Sequence, residues 1–361
     1  MKILHIIESD GGSFDFIYLI AKYLPQHHHI VICGERAFSA YKKLECEFGN
    51  SFPENMEAVY WEHAQREIKI FADVKALSQL IKVLRNQSDA NVVHLHSSKA
   101  GFLGRAACFI LGIRKVVYTT HAVSFLRCDV SFFVKNTYKI LERIAHALLP
   151  CKVICCSESE CKAMQVIGIK PIVIPNGTEV DSLVEQKNGA KNFLTVGTVG
   201  RITIQKNPHQ FNSIALKFAQ SEAVRFVWIG DGELRNVLKS PNIEVTGWLT
   251  KKELYRQLSQ IDIYLSTALW EGMPLAVLES MAIGKPLLLS DCVGNVDLVT
   301  NDENGYIFKT ESDAHSKLLD LLNDQSKREK FGLKSEEKYA KNYHMGIISS
   351  LYHNLYCELQ Q

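Results

Sequence analysis

Short apolar, β-branched runs alternate with helix-forming stretches along nearly the whole chain, and this alternation limits the fold more than any other feature. "MKILHIIES" reads as a buried strand, "DGGS" as a turn, and "FDFIYLIAKYL" as a helix ending before Pro25. "HIVICG", "ANVVHLHS", "KVVYTTH" and "KVICCS" read as further strands, with a short one at "PIVIPNG". The helices between them are "ADVKALSQLIKVLRNQ", "KAGFLGRAACFILGI", "NTYKILERIAHALL" and "SECKAMQVIGI". Each apolar run is short enough for a strand buried on both faces, and each intervening stretch is long enough for a crossover helix. That is the signature of an α/β, doubly wound parallel sheet.

The pattern breaks once and restarts. The polar stretch at 178–192 is the expected linker between a first domain at 1–177 and a second at 193–344. The second domain runs strand "FLTVGTVG", helix "NPHQFNSIALKFAQ", strand "VRFVWIG", helix "GELRNVLKS", strand "IEVTGW" and helix "KKELYRQLSQ". Strand "IDIYLST", helix "PLAVLESMAI", strand "PLLLS", a helix near 296–301 and strand "GYIF" complete it, and the tail is helical. At 361 residues the chain accommodates two such domains.

Bulk properties narrow the class. The composition, 47% hydrophobic and 22% charged, is that of a globular protein, and a net charge of +2 gives no reason to expect nucleic acid as a partner. "MKILHII" is too short for a secretory signal, and no apolar run reaches a membrane span, so the expectation is cytoplasmic. Ten cysteines without framework spacing fit a reduced chain. Cys151, Cys155, Cys156 and Cys161 cluster, but "KVICCS" reads as a buried strand and lacks paired C-x2-C spacing, so no metal is expected there. Residues 1–180 carry a charge of +4 and residues 181–361 a charge of −2. The small basic excess is compatible with a peripheral approach to an anionic membrane surface and does not require it.

One stretch carries most of the chemistry. In "LWEGMPLAVLESMAIGKPLLLSD", a strand leads through a loop into a helix with Pro274 at its first position, Gly284 at its end and Pro286 beyond. The loop sits at the carboxyl end of a parallel strand, where open α/β sheets bind ligands. The helix start, formed by Gly272, Met273, Pro274 and Leu275, offers unpaired N–H groups to an anion. Glu271 stands just outside it, and Glu279 about five residues in, roughly 8 Å along the axis. A pyrophosphate on the helix start would have one carboxylate toward each substituent, which is the layout of a nucleotide sugar. An isolated E-x7-E pair is more often a loop charge and an exposed helix residue, so the other residues decide.

"GTVGRITIQKNP" ends the first strand of the second domain and places Arg201 and Lys206 at its carboxyl end, a natural phosphate clamp. "TGWLT" places Gly247, Trp248 and Leu249 after another strand, suited to holding a nucleobase by backbone contacts. In the first domain His121 follows a strand in "VVYTTHAVSF", within reach of a sugar or acceptor hydroxyl, and Gly11 and Gly12 edge the first strand.

Taken together, "EGMPLAVLE", "GRITIQKNP", "TTHAVSF", "IPNG", "NGYIF" and the early "GG" resemble the family 4 glycosyltransferases, from Lys2 to about Phe308. "HLHSSKAGFLGR" with "VVYTTHAVSF" is most similar to bacterial enzymes of capsule, O-antigen or exopolysaccharide assembly. The resemblance implies a GT-B fold, two Rossmann-like domains facing a cleft, with a C-terminal helix at about 345–361 packing back on the first domain. It implies retaining, metal-independent transfer of a hexose from a nucleotide diphosphate sugar, a UDP-sugar favoured, to a saccharide or lipid-linked acceptor, with no cofactor. By the same resemblance Glu271 contacts the donor sugar and Glu279 the ribose. Arg201 and Lys206 hold the diphosphate, His121 lies near the sugar and its acceptor, and Gly12 lies near the diphosphate. One departure is Ala122, where many relatives have Gly.

The leaving nucleoside diphosphate gathers charge, which Arg201, Lys206 and the helix start would stabilise; the chain contains no Asp-x-Asp. Two other readings stand beside transfer: a nucleotide-sugar 2-epimerase and a non-catalytic donor-binding subunit. The helix "NTYKILERIAHALL", with Lys135, Lys139 and Arg143, is expected to be core-packed, with a membrane-docking face as the alternative.

Overall fold

The computed structural model describes residues 1–65, 69–180 and 192–361. Most of the expected linker, 181–191, lies outside the described residues. The chain divides into two compact units: Met1–Leu126, Val130–Gly177 and Met345–Gln361 in one, Arg127–Asp129 and Thr178–His344 in the other.

The first unit contains β1 (Lys2–Ile7), α1 (Gly12–Tyr23), β2 (His28–Cys33), α2 (Glu35–Phe48), β3 (Met56–Tyr60), α3 (Ile70–Asn86), β4 (Val92–His96) and α4 (Ser98–Ile110). It continues with β5 (Val116–Thr119), α5 (Phe132–Leu148), β6 (Lys152–Cys155), α6 (Glu158–Val166) and β7 (Ile172–Val173). Its seven strands are parallel in the order β3-β2-β1-β4-β5-β6-β7. Strand alternation divides the side chains between two faces. Leu4, Ile6, Val93, Leu95 and Tyr118 pack with Leu80, Leu103 and Ala107 of α3 and α4. Ile3, Val92, Val117 and Ile154 pack on the other face with Phe16 and Ile20 of α1. The same apolar cluster includes Ile348, Tyr352 and Tyr356 of the last helix, introduced below.

In the second unit the order is β8 (Leu194–Val199), α7 (Pro208–Leu216), β9 (Val224–Ile229), β10 (Ile243–Val245), α8 (Lys251–Ser259), β11 (Ile263–Ser266) and α9 (Leu275–Ala282). Then come β12 (Leu287–Ser290), α10 (Asn295–Leu298), β13 (Gly305–Phe308), α11 (Glu311–Asn323) and α12 (Gln325–Asn342). The last helix, α13 (Met345–Glu358), belongs to the first unit. Six parallel strands are ordered β10-β9-β8-β11-β12-β13, so the topological switch lies between β8 and β11. The loops after those two strands are therefore neighbours at the sheet's carboxyl edge.

Three expectations need correction. "GELRNVLKS" forms only a single 3-10 turn at Arg235–Val237. Pro274 is the N-cap of α9, with extended backbone, rather than its first helical residue. α5 is not core-packed: among its residues Ala145 alone is fully buried, while Phe132, Phe133, Ile140, Ile144 and Leu148 are exposed. A large apolar face on an amphipathic helix is thus left uncovered. No helix of the described residues is long and apolar enough to cross a membrane.

Candidate active site

At the β8/β11 switch the two loops are tied together. Leu269 N–H donates to the Gln205 carbonyl at 2.8 Å, and Thr267 Oγ1 donates to the Lys206 carbonyl at 2.8 Å. The Gln205 amide reaches the Trp270 carbonyl at 3.0 Å and Glu271 Oε2 at 3.3 Å. Lys206 Nζ lies 2.6 Å from Glu271 Oε1. Burial works against the charge on Lys206, but the Glu271 carboxylate, aided by Tyr264 and Cys292, outweighs it, and the lysine stands above its ordinary pKa. Gly200 makes this approach possible: its φ is 146°, and a Cβ there would meet Lys206 Cε at 3.1 Å. Arg201 is exposed beside it.

Both glutamates of the E-x7-E element are buried, which removes the reading of a loop charge and an exposed helix residue. Glu271 closes against a third loop, since its N–H donates to the Val293 carbonyl at 3.2 Å and a Cβ on Gly294 would lie 2.7 Å from the Gly272 carbonyl oxygen. Glu279 accepts from Tyr255 Oη at 3.3 Å and faces Lys251 Nζ at 3.6 Å. A buried carboxylate without partners is costly, so each is secured by a cation and a neutral donor. Gly272, Met273 and Pro274 are buried between the two glutamates, and Leu275 begins α9. Gly247 takes a φ of 75° after β10, and Trp248 presents its indole to solvent at 62% exposure. β10 is three strands from β11, about 14 Å at ordinary strand spacing.

In the first unit Gly12 starts α1 at the carboxyl end of β1, with Gly11 as its N-cap at φ 73°. His121 follows β5 in the left-handed region, at φ 49°, and Ala122 beside it is at φ 84°. Within its own unit the His121 ring has a partner at each nitrogen. Its Nε2 pairs with His96 Nδ1 at 3.0 Å and its Nδ1 faces the Cys156 thiol at 3.7 Å. The Phe16 ring packs edge-on against it at 5.4 Å. Burial lowers its pKa to about 3, so the ring is neutral. The loop is clamped from below by buried Glu160, whose Oε1 accepts the N–H groups of Ala122 and Val123 at 3.0 and 2.9 Å. Cys155 and Cys161 lie in the apolar core, and burial raises both thiols.

Residues 180–338 match the family described as Glycosyl transferases group 1, and residues 10–182 match Glycosyltransferase Family 4. An Escherichia coli protein named UDP-Gal:alpha-D-GlcNAc-diphosphoundecaprenol alpha-1,3-galactosyltransferase is 33% identical over 270 residues, covering 68% of each chain. The chain belongs to the family 4 glycosyltransferases. The E. coli O-antigen biosynthesis glycosyltransferase WbnH is 27% identical over 282 residues, 76% of this chain and 80% of its own length. Among solved structures, Anabaena HepE in complex with UDP and glucose superposes with a TM-score of 0.76 at 18% identity, covering 98% of both chains. That likeness establishes the GT-B fold of this glycosyltransferase.

Several residues that secure the candidate positions in each unit escaped the sequence reading. Gln205, Gly294, Lys251 and Tyr255 secure the two glutamates. Glu160 supports the His121 loop. Glu8, buried after β1, accepts the Ala100 N–H at 3.2 Å, and burial raises its carboxyl to about 7. The polar residues within otherwise apolar strands, His5, His29, His94 and His96, were visible in the sequence and are taken up below.

Proposed function

We propose that this glycosyltransferase moves a hexose, with retention and without a metal, from a nucleotide diphosphate sugar to a saccharide or lipid-linked saccharide during assembly of a bacterial surface polysaccharide. A UDP-sugar is the favoured donor. The observation that carries the reading is Glu271, a buried carboxylate fixed by Lys206 and Gln205 at the switch point, with buried Glu279 one helix turn inside α9. In this reading Glu271 receives donor-sugar hydroxyls and Glu279 the ribose. Arg201, Lys206 and the start of α9 meet the diphosphate, and the loop of Gly247, Trp248 and Leu249 holds the base. Positive groups at the diphosphate stabilise the charge that grows as the glycosidic bond breaks. The departing phosphate oxygen takes the acceptor's proton on the same face of the sugar. His121 lies toward the sugar and acceptor, and Gly12 toward the diphosphate. The E. coli relatives support the pathway by their names.

The acceptor side extends to a membrane surface. Phe132, Phe133, Ile140, Ile144 and Leu148 form the uncovered face of α5, and Lys135, Lys139 and Arg143 share that helix. Exposed apolar residues with interleaved cations suit an anionic interface carrying a lipid-linked acceptor. Flotation with anionic vesicles at low salt checks this; Phe132→Ser/Phe133→Ser that floats like wild type would end it.

The assay for the main reading is nucleotide release and product formation from UDP-, GDP- and ADP-sugars with EDTA present, with and without a diphospholipid-linked sugar. Acceptor-dependent release from one donor, with an anomer matching that donor's, is expected. Interconversion of the sugar without an acceptor would assign an epimerase, and binding without turnover of any kind a donor-binding subunit.

A further inference from the structure

Four histidines and a carbonyl form a continuous chain under the first unit's sheet edge. His29 Nε2 points at the Leu24 carbonyl, 3.4 Å away. His29 Nδ1 pairs with His5 Nε2 at 2.9 Å, and His5 Nδ1 with His96 Nε2 at 3.0 Å. His96 Nδ1 pairs with His121 Nε2 at 3.0 Å, and the His96 and His121 rings stack with centroids 5.3 Å apart. His5, His29 and His96 are wholly buried. Each neutral ring has one donor and one acceptor nitrogen, so a chain of this kind has two self-consistent directions. The carbonyl accepts only, so it selects the direction in which every Nε2 carries the proton. The reverse direction would set the His29 Nε2 lone pair against the carbonyl oxygen and leave a buried acceptor unsatisfied.

We propose that His29, His5 and His96 are positioning residues that fix His121 as its Nε2–H tautomer, with the Nδ1 lone pair kept as an acceptor. The chain ends on a carbonyl, which takes up no proton, so it orients and does not conduct. The Nδ1 of His121 meets a thiol at 3.7 Å, a weak donor that a substrate hydroxyl can replace. His121 thus enters the reaction as a hydrogen-bond acceptor toward a hydroxyl and not as an acid; this last step rests on the transfer reading above. His94 forms a separate branch, with Tyr356 Oη at its Nδ1 and Thr119 Oγ1 at its Nε2, both at 2.7 Å.

The same histidines admit one rival use. His5, His94 and His96 each bring a nitrogen within 4.8 Å of the other two, a spacing open to a metal ion. The His5–His96 separation of 3.0 Å is that of a hydrogen bond, shorter than the roughly 3.3 Å between ligands of a tetrahedral zinc at 2.0–2.1 Å. His94 has a hydroxyl on each nitrogen.

The test uses the full chain labelled with 15N-histidine, where two-bond 1H–15N correlations report which ring nitrogen is protonated. Nε2–H rings at His29, His5, His96 and His121 at pH 7.5 are expected. An Nδ1–H ring at His121 in the wild type, or stoichiometric zinc captured by His5, His94 and His96, would overturn the proposal. His96→Leu removes the acceptor of the His121 proton, whereas His96→Asn keeps an oxygen near the place of Nδ1. The leucine variant should show mixed His121 tautomers and lose kcat on the order of tenfold to a hundredfold at unchanged donor KM. The asparagine variant should regain most of both. A single His121 tautomer in the leucine variant would also overturn the chain. An intact chain in a protein where His121→Ala keeps full activity would leave the tautomer assignment standing and remove His121 from the reaction.

Discussion

The pair Lys206–Glu271 has two duties, and a mutant cycle separates them. Lys206→Met leaves Glu271 Oε1 without the ammonium now at 2.6 Å, while Oε2 keeps the Gln205 amide at 3.3 Å. The two side chains are 20% and 9% exposed, so this is a largely buried pair. Removing one partner of such a pair costs about 3–5 kcal/mol, because the other charge stays buried. The partial exposure of Lys206 puts the expected loss near the lower figure, about 3 kcal/mol. Glu271→Gln removes the charge yet keeps the volume, and the double variant strands neither charge. Its loss should fall short of the sum of the singles by about 2 kcal/mol, well above the roughly 0.5 kcal/mol scatter of independent sites. Urea unfolding gives the stabilities, and calorimetric titration with UDP gives the second axis. Lys206→Met should weaken UDP about tenfold, the loss of one charge-assisted hydrogen bond at about 1.4 kcal/mol. Glu271→Gln should leave UDP affinity unchanged and abolish transfer. Additive stabilities, or equal loss of UDP affinity in both singles, would refute the assignment of Lys206 to the phosphate and Glu271 to the sugar.

Further outcomes follow from the first unit. His5, His29, His94, His96 and His121 all have depressed pKa values, chiefly from burial, with His29 at about 4 and His121 at about 3. Below the unfolded pKa of about 6.5 only the unfolded chain takes up these protons, so stability is complete above it and falls by about 1.4 kcal/mol per ring per pH unit below. Five rings can therefore exhaust an ordinary domain stability within one to two pH units, and circular dichroism showing an unchanged fold at pH 4.5 would contradict the cluster. For Glu8 the sign is opposite: its carboxyl is raised to about 7, so its contribution is complete below the unfolded pKa of about 4.5 and declines as pH rises through 7. Glu8→Gln should accordingly gain stability at pH 8 relative to pH 5, by about 3 kcal/mol at most; no pH-dependent gain would place the carboxyl in solvent. Ala122→Gly should raise the unfolding free energy from urea melts by about 0.5–1 kcal/mol, because alanine is strained at φ 84°; a loss of stability would show that the loop is held by the methyl group.

The parallel sheets were legible because apolar runs and helical stretches alternate, and a strand's carboxyl end marks a site wherever topology reverses. Glu271, Glu279, Lys206 and Arg201 could be picked out on that ground once the two loops were taken together. What could not be read was pairing. Nothing in "QKNP" says that Gln205 and Lys206 reach a glutamate in a loop sixty-odd positions later, because that contact depends on β8 and β11 being neighbours. Tyr255 of α8 meets Glu279 of α9, a contact set by how the helices flanking β11 pack and not by any spacing in the sequence. α2 and the edge strand β3 drew no expectation, and half-exposed positions in "MEAVY" blur its alternation. The amphipathic pattern of α5 fixed its helicity but not what lies against its apolar face. The histidines were the real omission. His94 and His96 two apart in one strand must share a face, and His5 is the register partner of His94.

That register also explains why the end of the chain belongs to the first unit's chemistry. His94 takes Tyr356 Oη on one nitrogen and Thr119 on the other, and Thr119 meets Tyr352 Oη at 3.2 Å. Thr119 is the last residue of β5, two positions before His121. The His94 ring lies against His96, with centroids 4.0 Å apart, and His96 holds the His121 proton. α13 therefore supplies two hydroxyls that satisfy buried polar groups directly beneath the His121 loop. Without them His94 Nδ1 would be left unsatisfied in an apolar interior, at a cost of about 1–3 kcal/mol, and Thr119 would keep only its bond to His94. Such a strain relaxes by moving rings, and the ring packed next in line is the one that orients His121. The last helix, remote in sequence from the motifs, is in this way a condition for the geometry of His121, the residue that the proposed reaction assigns to the acceptor side.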